Sequence, residues 1–149
     1  MHRIAITSLA LTAILVGCNQ SAKELAPVSG VVELDGKPLT GFQHGGVVLT
    51  PKGGRLATGV ISPTDGTFQL STYNPGDGAV IGPAKIGVSA TIDDTSAAGK
   101  IEGRHQQVKS IIPAQFSGEA STLVYEVVDD DNFLRIKLAS DGNAVIENK

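Results

Sequence analysis

From Val28 onward the apolar side chains of this chain recur at every second position, a period that suits strands with one buried face and not helices. In Val28 to Leu34, residues Val28, Gly30, Val32 and Leu34 share one face and Ser29, Val31 and Glu33 the other. Val47 to Thr50 and Ala57 to Ser62 read as a second and third strand. Thr67 to Tyr73 alternates again, with Phe68, Leu70 and Thr72 set against Gln69, Ser71 and Tyr73. The clearest alternation runs from Lys85 to Ile92, where Ile86, Val88, Ala90 and Ile92 share a face. Two late strands follow, Thr122 to Val128 with Leu123, Tyr125 and Val127 inward, and Phe133 to Leu138 with Leu134, Ile136 and Leu138 inward. Turn signals separate these runs at Asp35-Gly36, Gly45-Gly46, Gly53-Gly54, Asp65-Gly66 and Gly76-Asp77-Gly78. The Asp65-Gly66 pair is expected to close a type I′ hairpin. About seven strands and no credible helix predict an all-β fold, an antiparallel two-sheet β-sandwich over residues 28–139, with residues 140–149 as a C-terminal tail.

The first residues follow another pattern. His2 and Arg3 precede the apolar run Ile4 to Val16, which is followed by Gly17 and Cys18. A charged start, an apolar stretch and a small residue before a cut are the layout of a secretory signal. Ile4 to Gly17 would span only about 21 Å as a helix, short of a hydrocarbon core of about 30 Å. Leu15, Val16, Gly17 and Cys18 resemble the bacterial lipobox, in which the cysteine thiol receives a diacylglycerol and the signal is cut just before it. That assigns 1–17 to a lipoprotein signal peptide and 18–27 to a lipidated N-terminus and tether. Two or three acyl chains at about 0.8 kcal/mol per buried methylene make attachment lasting. Position 19 is Asn and not Asp, which by analogy with lipoprotein sorting tilts the destination toward the outer membrane.

The strand pattern also carries a resemblance. VSGVVELDGKPLTG at 28–41 and ATGVISPTDGTFQLSTYNPGDGAVIGPAKIGV at 57–88, with IPAQFSG at 112–118, are similar to the carboxypeptidase regulatory-like, or transthyretin-like, domain of secreted bacterial lipoproteins. The resemblance implies a seven-stranded prealbumin-like sandwich and a module that folds, spaces or binds beside other proteins without catalysing a reaction. The FQHGG segment at 42–46 departs from the pattern and is expected to place His44 in a longer loop.

Composition narrows the function classes. Twelve Lys and Arg against fifteen Asp and Glu, without a basic block, exclude a nucleic-acid binder of the usual cationic kind. The single cysteine rules out an internal disulfide and a multi-cysteine zinc site, and its place makes it the lipid attachment point. No His-Glu-x-x-His pair, Gly-x-Ser-x-Gly elbow or phosphate-binding glycine loop occurs, so the chain is read as noncatalytic.

Three acidic features, Asp93-Asp94, Asp129-Asp130-Asp131-Asn132 and Asp77, raise a calcium site, with Asp129 and Asp131 as its candidate ligands. Solvated turn residues explain the same aspartates. Asp93 to Ser110 is long for a loop, and Arg104 and His105 within it could present a contact surface, as could Tyr73 on a predicted outer face. The expected protein is thus a lipid-anchored cell-envelope module, facing the periplasm or the surface. It needs no cofactor beyond the lipid on Cys18, and its partner is an envelope protein or a glycan. The alternative is a calcium-assisted carbohydrate-binding module.

Overall fold

The structure, a computed structural model, describes residues 24–93 and 108–149. These form twelve strands: β1 (Leu25–Ala26), β2 (Val28–Leu34), β3 (Lys37–Pro38), β4 (His44–Pro51), β5 (Ala57–Val60), β6 (Thr67–Gln69), β7 (Ala79–Val80), β8 (Gly82–Asp93), β9 (Val108–Ser110), β10 (Val124–Val127), β11 (Asn132–Leu138) and β12 (Ala144–Asn148). Two three-residue 3-10 turns, Ala114–Phe116 and Gly118–Ala120, are the only helical elements among the described residues. The fold is all-β, as the alternation predicts.

The strands make two five-stranded sheets and a short β1–β7 pair. In one sheet the order is β12-β11-β2, with β6 and β3 sharing the far side of β2; in the other it is β10-β8-β4-β5, with β9 also on β8. Val32, Leu134 and Ile136 from the first sheet and Val47, Leu49, Ile86 and Val88 from the second are fully buried in one cluster. Each such side chain contributes roughly 1.5–3 kcal/mol of burial. Phe116, projecting from the 3-10 turn between β9 and β10, fills the same core.

The pairing corrects the purely antiparallel expectation, because β2 and β11 run parallel over seven register pairs, from Val28 with Asn132 to Leu34 with Leu138. Alternation leaves strand direction open, since a parallel and an antiparallel neighbour bury the same face. Residues 140–149 are not a tail. Gly142, at φ 97°, turns the chain so that β12 pairs antiparallel with β11, and Ala144 and Ile146 lie partly buried against the core. The folded part also begins before Val28, since Leu25 and Ala26 pair with Val80 and Ala79 and Ala26 is buried.

Turn chemistry shifts in the same way. Asp35 and Gly36 both have positive φ, 50° and 77°, as a type I′ turn between β2 and β3 requires. At Asp65-Gly66 only Gly66 is positive; the Asp65 side chain instead accepts from the Thr67 amide and hydroxyl, and the Gly66 amide reaches back to the Ser62 carbonyl. The strand expected through Tyr73 stops at Gln69, because the amides of Thr72, Tyr73 and Asn74 are drawn to one carboxylate. His44 is exposed in β4 and not in a loop, since Phe42 is buried with its ring against Gly45.

Gly30 shows how closely the first sheet is built. A Cβ there would press on the Leu134 carbonyl oxygen and lie 3.0 Å from Phe68 Cζ, because the Phe68 ring covers the bare backbone opposite it. Gly30→Ala is expected to cost about 3 kcal/mol, by overpacking against backbone that cannot move aside. Urea unfolding checks this through the midpoint, with Ser29→Ala on the other face staying within about 0.5 kcal/mol of the parent.

Candidate functional site

Three acidic side chains in the loops, Asp35, Asp65 and Asp77, are committed to backbone amides and hydroxyls. Asp77 sits in the loop between β6 and β7, where its Oδ1 accepts from the Thr72 amide at 2.6 Å and its Oδ2 from Tyr73 and Asn74 at 2.9 and 2.7 Å. The Thr72 amide is the main cause that holds this carboxyl below its ordinary range. Asp35 is likewise lowered, chiefly by the Ser140 hydroxyl and then by the Ser140 amide, a bond that ties the β2–β3 turn to the end of β11. Asp65 is lowered by the Ser62 and Thr67 hydroxyls and the Thr67 amide.

Asn132 does more than its place beside three aspartates suggested. It is buried, its Oδ1 accepts from the Tyr125 hydroxyl and the Val128 amide, and its Nδ2 donates to the carbonyls of Pro27, Val128 and Asp130. One amide side chain thereby fixes the β10–β11 loop and the start of β2. Burial raises the Tyr125 phenol above its ordinary value.

The acidic features do not meet. Val127, just before Asp129, pairs with Gly82 at one end of β8, while Asp93 ends the same strand. Eleven residue steps of extended chain, roughly 35 Å, separate those ends. Asp129 and Asp131 are exposed, and among the described residues no group of three or more His, Cys, Asp or Glu converges. Cys18, Leu15, Val16, Gly17, Arg104 and His105 lie outside the described residues.

The Gly82 end of β8 gathers the unsatisfied surface. The carbonyl of Glu24 accepts from the Ile81 amide, so the N-terminal side of the chain joins the fold here, at the end opposite Asp93 and Val108. Tyr73 is exposed, with the Arg55 guanidinium over its ring at 5.4 Å from the centroid, and Leu56 beside Arg55 is exposed as well. On the outer face of the second sheet lies a hollow of about 340 Å³, lined by Thr50, Pro51, Pro83 and Val124 and flanked by Lys52 and Lys85.

Neither lysine is in an ion pair among the described residues; the Lys85 Nζ makes one long bond, 3.4 Å, to the Glu119 carbonyl. On the first sheet the balance is different. Arg135 meets Glu33 and Lys137 meets Glu147, both at 2.6 Å, around a second hollow of about 260 Å³. The Lys137 ammonium is the main cause that lowers the Glu147 carboxyl.

This end of the fold offers an apolar recess, two ammonium groups outside any ion pair among the described residues and an exposed aromatic-guanidinium pair. Sequence reasoning identified Tyr73 but missed Lys52, Lys85 and Val124, whose meeting depends on three separate strands. Comparison with protein-family models, curated proteins and solved structures finds no match for this chain.

The Asp77 clamp has a pH signature. Its folded carboxyl is lowered, so its stabilisation is complete above the unfolded value near 3.8 and is lost as pH falls through the folded value. Asp77→Ala is expected to lower the Tm by several degrees at pH 7 and to lose that difference as the parent is acidified through this range. Thermal melts from pH 7 downward test it; a Tm gap that persists unchanged into strong acid would contradict the clamp.

Proposed function

We propose that this chain is a lipid-anchored protein of the bacterial cell envelope whose domain acts as a noncatalytic interaction module. In this reading Cys18 carries the lipid, the residues before Glu24 form the tether, and the two sheets pack as a β-sandwich of transthyretin-like type. The outer membrane is the favoured destination. The observation that carries the module reading is the contrast between the two kinds of polar group: the loop carboxylates Asp35, Asp65 and Asp77 are spent on backbone amides and hydroxyls, while Lys52 and Lys85 stand without acidic partners beside an apolar recess. Groups bound to the backbone hold shape, whereas unpaired cations beside apolar surface favour association.

Position supports the anchor. The chain joins the fold at Glu24, six residues after Cys18, so the Gly82 end of the domain lies within about 20 Å of the lipid, at roughly 3.3 Å per extended residue. Arg55 covers one face of Tyr73, the surface on which a sugar ring would stack, and this favours a protein partner over a glycan.

Metabolic labelling with a palmitate analogue in a bacterial host tests the anchor. The parent is expected to be labelled and processed, and Cys18→Ser to remain unlabelled and uncleaved. Labelling that survives the substitution would overturn the lipid assignment.

A further inference from the structure

The edge of β10 offers more than an apolar recess. Ile86 donates its amide to the Leu123 carbonyl, which sets the hydrogen-bonded pairs of the β8–β10 ladder at 123 with 86, 125 with 84 and 127 with 82. The amides and carbonyls of Val124 and Glu126 therefore point away from β8, and β10 ends its sheet with no described strand beyond it. The side chain of Val124, well exposed, forms one wall of the recess flanked by Lys52 and Lys85. Among the described residues, a row of backbone groups without partners, an apolar pocket across the Val124 side chain from it and two cations outside any ion pair thus occur together.

We propose that β10 is a strand-addition site, at which an extended segment of a partner protein pairs with the free edge and turns an apolar side chain and, two residues along on the same face, a carboxylate toward the recess between Lys52 and Lys85. Backbone pairing supplies affinity that depends little on sequence, and the pocket and the lysines supply the selection. The carboxylate is placed on the Lys85 side of Val124, away from Glu126, which shares the outer face opposite Pro83; a lysine in that position would leave three cations close together.

Other edges lack this combination. On β5 the Thr58 amide and carbonyl are already bonded to Ser71, which leaves only Val60 open. The edge of β12 is longer, but the hollow beside it is polar, and of its three cations Arg135 and Lys137 are matched by Glu33 and Glu147, leaving Lys149 alone outside an ion pair among the described residues. Membrane phospholipid is the other anionic candidate. Lipid headgroups would use the lysines but not the β10 backbone.

The proposal rests on the interaction-module reading. It is tested by panning a phage-displayed random peptide library on the full mature chain, followed by affinity measurements with synthetic copies of the enriched peptides. Enriched sequences are expected to place Asp or Glu two residues from a large apolar residue, on the same strand face. Lys52→Glu with Lys85→Glu should weaken their binding at least about tenfold.

Val124→Pro should weaken it similarly while leaving the Tm close to the parent's, because the amide it removes lies outside the β8 ladder. If that variant unfolds, the lysine pair still decides the matter. Absence of enriched peptides, or peptides indifferent to the lysine variant, would overturn the proposal. So would lysine-dependent sedimentation with phosphatidylglycerol vesicles that Val124→Pro leaves intact. A partner captured from membranes whose binding ignores all these variants would preserve the module reading and remove this site.

Discussion

The parallel ladder between β2 and β11 is the constraint on which the remaining structure depends. It joins segments about a hundred residues apart in sequence and aligns Val28 to Leu34 with Asn132 to Leu138 without a gap. Its inward residues, Val32, Leu134 and Ile136, are fully buried, and they meet Val47, Leu49, Ile86 and Val88 of the second sheet in one cluster. Both ends of the ladder are fastened by polar groups. Asn132 bonds to the Pro27 carbonyl at one end, and at the other Asp35 accepts from Ser140 while its own amide donates to Leu138. Flanking strands follow from it: β12 needs β11, and β6 and β3 need β2.

The polar groups divide by the work they do. Buried Asn132 would be costly to leave unpaired, and both it and the Asp77 carboxylate are satisfied several times over by backbone groups. The β4–β5 connection, the start of β8 and β10 come together around Gly82. The unpaired lysines and the open edge of β10 are the complementary half of the same arrangement.

Much of the fold was legible in the residues. The alternation in Lys85 to Ile92 matches the burial of β8 except at Gly87, which is covered by the Gly118 backbone, and Ile92, which is only partly buried, and Leu134, Ile136 and Leu138 are inward as their spacing predicts. Strand direction was not legible, since period-two sequences carry no sign of it. The final hairpin was signalled by Asp141-Gly142 and by Ala144 and Ile146, but exposed Val145 between them blurs the alternation. Asn132 looked like one more polar turn residue, because its five bonds depend on Tyr125 and Pro27 arriving from elsewhere in the chain. The recess was hidden for the same reason: Lys52, Lys85 and Val124 come from separate parts of the sequence, and the lack of an ion pair at either lysine among the described residues depends on how the sheets pack.

Residue-resolved amide hydrogen exchange tests the central claim most directly. The Asn132 amide donates to the Pro27 carbonyl, and by alternation the amides of Leu134, Ile136 and Leu138 donate into β2. The account predicts that these three exchange among the slowest in the protein, at the rate set by global unfolding. Val124 and Glu126 should exchange far faster than their neighbours Tyr125 and Val127. Rapid exchange at Leu134 and Ile136, or equal protection along all of β10, would contradict the β2–β11 ladder as the structural spine and β10 as an open edge.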